Sequence, residues 1–184
     1  PGTSPSYQEM GEQASLLALQ DTGISYGQVQ QVYAGYVYGD STCGQSVVYR
    51  LGMSGVPVIN VNNNCSTGST ALYLARQAIE GGAVDCVLAL GFEQMNPGAL
   101  GAIFDDRPNP LAKFTESADD LDGKSDVPVA LRLFGGAGLE HQKKHGTRDE
   151  TFAKISQKAR CHAKHNPRAI FRDEVSLEEV LASL

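Results

Sequence analysis

No stretch of this chain is apolar for long enough to cross a membrane, and no secretory signal opens it. The four cysteines, at 43, 65, 86 and 161, include no CxxC pair and no metal-ligand spacing. Zinc modules and redox dithiols are therefore set aside, and no metal is expected. A disulfide framework is equally out of place in a domain of this size. Internal repeats and low-complexity tracts are missing too, which removes solenoids and linkers from consideration. Positive charge is not in excess. The formal net charge is −6, which argues against a general nucleic-acid partner.

What is present is enough for one substantial domain with its own core, in 184 residues. Hydrophobic and charged fractions of 41% and 20% are those of a folded globular chain rather than a disordered one. The charge is unevenly spread. From His141 to Arg172, nine lysines and arginines face two acids, a local +7, so the remainder carries −13. Such a run is ordinarily a solvated helix face; the functional alternative is a docking surface for a phosphorylated ligand.

Cys65 is the residue with the clearest chemical setting. It joins the apolar run Val56-Pro57-Val58-Ile59-Asn60-Val61 to the helix-like stretch Ser69–Arg76 through Asn62-Asn63-Asn64-Cys65-Ser66-Thr67-Gly68. At a helix N-terminus, unpaired N–H groups and the dipole favour the thiolate, which is the nucleophilic form. Acyl-transfer nucleophiles often occupy such a strand-to-helix turn, where a backbone N–H also serves an oxyanion. Three successive asparagines suit a bent backbone better than a strand or a helix. Gly68, if helical, costs about 1 kcal/mol relative to alanine, and a close approach to its backbone, by another chain segment or a ligand, would explain it. The competing reading of any free cysteine is a small buried filler; Cys86 is read as core filler, and Cys161, beside His162 on a helix, as structural. Cys43 reads as a loop residue of unassigned role.

Along the chain, Met10, Ala14, Leu17 and Ala18 recur at helical spacing, closed by Asp21-Thr22-Gly23. Val29–Tyr38 reads as a strand region and Gln45–Leu51 as a short helix. Val58–Val61 then reads as a strand, followed by a helix with Gly68, Ala71, Leu72, Ala75 and Ile79 on one face. Val84–Leu90 is a near-continuous apolar run, the mark of a strand covered on both faces. Strand, helix and strand in that order predict a βαβ unit with a right-handed crossover in a layered α/β fold. Residues 92–127 read as an irregular excursion rich in Gly, Pro, Asp and Asn. Helices are predicted from Pro128 to His145, from a capping box at Thr147-Arg148-Asp149-Glu150, and from a second box at Ser176-Leu177-Glu178-Glu179. The division expected is 1–91 as an α/β portion and 92–184 as a partly helical, basic one. The chain opens on Pro1-Gly2-Thr3 without an initiator methionine, and reads as cut before a natural end.

Three blocks carry a family likeness. Gly35-Tyr36-Val37-Tyr38-Gly39-Asp40-Ser41-Thr42-Cys43-Gly44-Gln45, Asn60–Leu72 around Cys65, and Val87–Met95 together resemble the sterol carrier protein X subgroup of the thiolases. Phe134-Gly135-Gly136-Ala137-Gly138 through Ile155 fits the same family, so the likeness covers nearly the whole chain. It implies a thiolase-like layered α-β-α half-domain with an irregular, partly helical loop-domain insertion. It also implies thiolytic cleavage of 3-oxoacyl-CoA, including 2-methyl-branched substrates, by coenzyme A as co-substrate with no bound cofactor. Cys65 would hold the acyl chain as a thioester and Met95 would line the acyl pocket. The basic stretch would lie near the CoA phosphates. The family is dimeric and mostly peroxisomal, serving fatty acid β-oxidation, although Ala182-Ser183-Leu184 is not an SKL-type address.

The departures are equally specific. The opening strand and the second half of the family are missing, and with them the His-Asp-Cys-Phe segment, the activating histidine and the second cysteine. His141, His145, His162 and His165 match none of those motifs. A half-domain also exposes apolar surface that its twin covers, so self-association is expected. Two alternatives stay open. One is a ketoacyl synthase, disfavoured by the Asn-Asn-Asn-Cys block. The other is a non-catalytic truncated thiolase that binds acyl-CoA or pairs with a full-length subunit.

Overall fold

The computed structural model describes residues 4–96, 98, 101 and 104–183; Pro1-Gly2-Thr3 and Leu184, on which the reading of the chain's ends rests, lie outside them. The chain divides into two compact units, Pro1–Gly101 and Ala102–Leu184.

The first unit begins with helix α1, Tyr7–Thr22. Its start is fixed by a capping box, in which the Glu9 N–H donates to Ser6 Oγ at 3.3 Å and the Ser6 N–H to Glu9 Oε2 at 2.8 Å. Gly23 ends it at φ 70°, a left-handed conformation that glycine adopts without penalty. Strands β1 (Gln31–Gly35), β2 (Val58–Val61) and β3 (Val87–Gly91) form a parallel sheet in the order β2-β1-β3. Val32 pairs with both Val58 and Leu88, and Ala34 with both Asn60 and Leu90. The predicted strand, helix and strand are therefore present and parallel, but β1 lies between β2 and β3.

Side chains alternate across this sheet. Val32, Leu88 and Leu90 turn to one face, where they form the core with Val47 and Val48 of helix α2, Cys43–Val48. Each such apolar side chain, fully buried, contributes about 1.5–3 kcal/mol. Gly35 turns to the other face, against helix α3, Thr67–Glu80. The result is a layered α-β-α arrangement, as the family resemblance implies. Two readings need correction. Leu72 and Ile79 of α3 are exposed, and the buried positions on that helix are Thr67, Ala71 and Ala75. Small residues let the helix lie close to the strands, so the larger ones stand outward. Strand β3 is not covered on both faces either, because Ala89 and Gly91 are exposed.

The second unit is helical: α4 (Ala112–Asp122), α5 (Val129–His145), α6 (Asp149–Ala163) and α7 (Leu177–Leu181). Helix α4 falls within the stretch read as irregular. It is held to α5 by the Arg132 guanidinium, which reaches the Asp119 carboxylate and the Gly123 carbonyl. The capping box at Thr147 does not form; Arg148 is the N-cap of α6, with no side-chain cap bond. Starting at Asp149 puts Asp149 and Glu150 in the first turn, where the helix dipole favours acids. The box at Ser176 does form, opening α7.

Candidate active site

Cys65 lies on the turn between β2 and α3 and is exposed. The turn is built from its own side chains. The Asn64 N–H donates to Asn62 Oδ1 at 3.1 Å, and Ser66 Oγ donates to the Asn63 carbonyl at 2.8 Å. Asn63 Nδ2 reaches Thr70 Oγ1 at 2.9 Å, one helical turn further on. Asn64 itself takes φ 49°, a left-handed conformation that asparagine tolerates better than most side chains. The asparagine run thus does what its composition predicts: it bonds a bent backbone. The polar neighbour of the thiol is Asn64 Oδ1, at 3.9 Å from Cys65 Sγ.

Two further ties hold the strand ends that present this turn. Glu93, just past β3, accepts from the N–H groups of Val37 and Tyr38 at 3.0 and 3.1 Å. That carboxylate joins the segments leaving β1 and β3. Asn60, inside β2, accepts from the Gly44 N–H at 2.9 Å and donates to Gln45 Oε1 at 2.8 Å. Asn60 therefore seats α2 against the strand that leads to Cys65. Neither residue stands out in the sequence, because a lone Asn or Glu in an apolar run carries no period or motif.

No other segment of the described chain makes the close approach at Gly68. Nothing among the described residues comes within 4 Å of a Cβ placed at Gly68, so that site is open. Among the described residues the crowded glycines are Gly11, Gly35, Gly39 and Gly44.

Met95 is half exposed on the segment after β3. Its neighbours Gln94 and Asn96 line a cavity of about 450 Å³ together with Tyr7, Tyr38, Cys43 and Phe92. Cys43 is thus not a loop residue; it opens α2 and is buried in the wall of this cavity. The Tyr7 phenol is pulled down by the neighbouring Ser46 but pushed up by Cys43 and by burial, for a net rise in pKa. Burial likewise raises Tyr36, whose ring stacks on Phe92 at 5.2 Å between centroids. The four histidines all belong to the second unit, on or just beyond α5 and α6. The unit that carries Cys65 contains none. Within the basic stretch, Lys154 pairs with Glu150 at 2.6 Å and Lys164 with Glu174 at 2.8 Å. Among the described residues, Lys158, Arg168 and Arg172 make no ion pair.

Comparison with known proteins gives a consistent outcome. The family profile of the thiolase N-terminal domain matches residues 3–176. Sterol carrier protein 2 of Oryctolagus cuniculus is 53% identical over 186 residues, covering 100% of this chain and 34% of that protein. The benzoylsuccinyl-CoA thiolase subunit BbsB of Thauera aromatica is 31% identical over 179 residues, covering 95% of this chain and 43% of its own. Among solved structures, the Ltp2-ChsH2(DUF35) aldolase superposes with a TM-score of 0.67, covering 96% of this chain and 44% of that one. Its 18% identity makes this a likeness of fold alone. The chain spans about a third of the length of the curated sterol carrier relatives it matches.

Proposed function

The chain belongs to the thiolase family, and on that premise we propose that it is the nucleophile-bearing portion of an enzyme that cleaves 3-oxoacyl-CoA with coenzyme A. The observation that carries the reading is Cys65, exposed on a tightly bonded strand-to-helix turn at the head of α3. In the proposed reaction, Cys65 Sγ attacks the 3-keto carbon to give a tetrahedral oxyanion. The Cys65 N–H is the proposed donor to that oxyanion. Collapse breaks the bond between C2 and C3, and the shorter acyl-CoA leaves as an enolate that takes up a proton. The longer chain stays on sulfur as a thioester. The thiolate of a second CoA then attacks that carbonyl and frees Cys65. Chains branched at C2 would release propanoyl-CoA in place of acetyl-CoA.

The residues of Pro1–Gly101 include no histidine to take the thiol proton. The general base and the enolate's proton donor are therefore proposed to lie outside that unit. General acid–base help is typically worth about 10²–10⁴-fold, so acylation of this chain alone should be slow but site-specific. Met95 is proposed as an acyl-pocket residue, and the unpaired basic residues as neighbours of the CoA phosphates. A peroxisomal homodimer is the proposed setting of the whole protein.

The experiment is single-turnover acylation with acetoacetyl-CoA, read by intact and peptide-resolved mass spectrometry. One acetyl group on Cys65, absent from Cys65→Ala, is the expected outcome. Acylation spread over all four cysteines, or retained in full by Cys65→Ala, would refute Cys65 as the nucleophile. A second reading, binding of acyl-CoA without turnover, draws on the missing histidine; retention of acyl-CoA by Cys65→Ala with no thioester on the parent would favour it.

A further inference from the structure

Thr67 is one of two buried polar residues among those described, at 5% exposure. Its hydroxyl is wholly engaged with the turn that precedes it. Thr67 Oγ1 accepts from the Asn63 N–H at 2.9 Å and donates to the Asn64 carbonyl at 2.5 Å. These are the two residues immediately before Cys65. The methyl group faces the other way, toward β1. A Cβ placed at Gly35 would stand 2.8 Å from Thr67 Cγ2, so the absence of a side chain at Gly35 is what admits the methyl. One side chain therefore fastens the turn to the end of the central strand.

The remaining side-chain ties of the turn, from Asn62, Asn63 and Ser66, are exposed, and water replaces such bonds at little cost. The Thr67 bonds are the part-buried ones; without the hydroxyl the Asn63 N–H loses its partner, while the Asn64 carbonyl keeps the Thr67 N–H at 3.0 Å. Asn64, whose carbonyl accepts from the Thr67 hydroxyl, is the residue of the turn at a left-handed φ of 49°. The geometry points to Thr67 as the positioning residue for Cys65: its hydroxyl, not its methyl, fixes how the thiol is presented. This rests on the reading of Cys65 as nucleophile.

The test compares Thr67→Val, which keeps the shape and loses the hydroxyl, with Thr67→Ser, which does the reverse. Amide hydrogen exchange of the 184-residue chain is read at Asn63, Asn64, Ser66 and Thr67, together with the rate at which iodoacetamide alkylates Cys65 relative to Cys161. Thr67→Val should speed exchange in the turn about tenfold and change the Cys65 rate at least about threefold, with β1 and β3 still protected. Thr67→Ser should match the parent in both. An unchanged turn in Thr67→Val, a freed turn in Thr67→Ser, or a freed turn with an unchanged Cys65 rate would each overturn the assignment. Should Thr67→Val unfold the sheet as well, Thr67→Ser decides alone. Failure of the parent to take an acyl group from acetoacetyl-CoA would strike the proposed reaction and leave these readouts standing.

Discussion

Replacing Gly44 with alanine should unseat α2 from the sheet. A Cβ at Gly44 would overlap Asn60 Oδ1 and stand 2.6 Å from the Ala34 Cβ. The Ala34 atom is fixed to the backbone of the central strand, so it has no rotamer by which to retreat. Asn60 could move only by giving up its bonds from the Gly44 N–H and to Gln45 Oε1. Overpacking of this kind costs about 1–3 kcal/mol. Two neutral hydrogen bonds add about 0.5–1.5 kcal/mol each. Alanine returns about 0.5–1 kcal/mol in a helix. The net is about 3 kcal/mol, a large share of the roughly 5–15 kcal/mol that holds a domain together. With a slope of about 2 kcal/mol/M, the urea midpoint should fall by about 1.5 M. Circular dichroism during urea titration measures it, with Gly27→Ala as control because nothing lies within 4 Å of that site. A Gly44→Ala midpoint within about 0.3 M of the parent, at unchanged slope, would refute the packing argument.

The open site at Gly68 gives the opposite sign. Gly68→Ala should stabilise the chain by about 0.5 kcal/mol, seen as a small rise in the same midpoint. Arg132→Ala should cost about 1–3 kcal/mol, because Asp119 and the Gly123 carbonyl lose a largely buried partner; loosening should appear first in hydrogen exchange of α4. Glu9 makes stability pH-dependent. The Ser6 backbone bond holds its carboxyl below the ordinary value of 4.5, so its contribution is present above that value and fades as pH falls through the lowered one. Glu9→Gln should therefore lie below the parent in urea midpoint near neutrality, and the two should converge in acid. A gap that widens in acid would show the sign to be wrong.

The position of Cys65 is legible in the sequence because two signals coincide there, an apolar run and a helical period meeting at turn-forming residues. The strands are legible for the same reason. Their order is not, since nothing in the residues of β1 says that it will lie between two strands that come later. Helix α4 escapes notice because Ala112–Asp122 carries five polar or charged residues in its last seven and is held by Arg132 from another element. Thr67 escapes because a hydroxyl at a helix start reads as a cap, whereas here it serves the residues before it. Leu72 and Ile79 mislead for a related reason: a helical period tells which residues share a face and not how closely that face sits on the sheet.

The sheet order also sets a timetable. Strand β1 is made first, yet its two neighbours are Val58–Val61 and Val87–Gly91. At about 5–20 residues per second of synthesis, the central strand waits on the order of 3–11 s between its own completion and that of β3. During that interval its apolar edge is open to any other strand in reach. A nascent chain halted after residue 61 should therefore bind holding chaperones more tightly than one halted after residue 91.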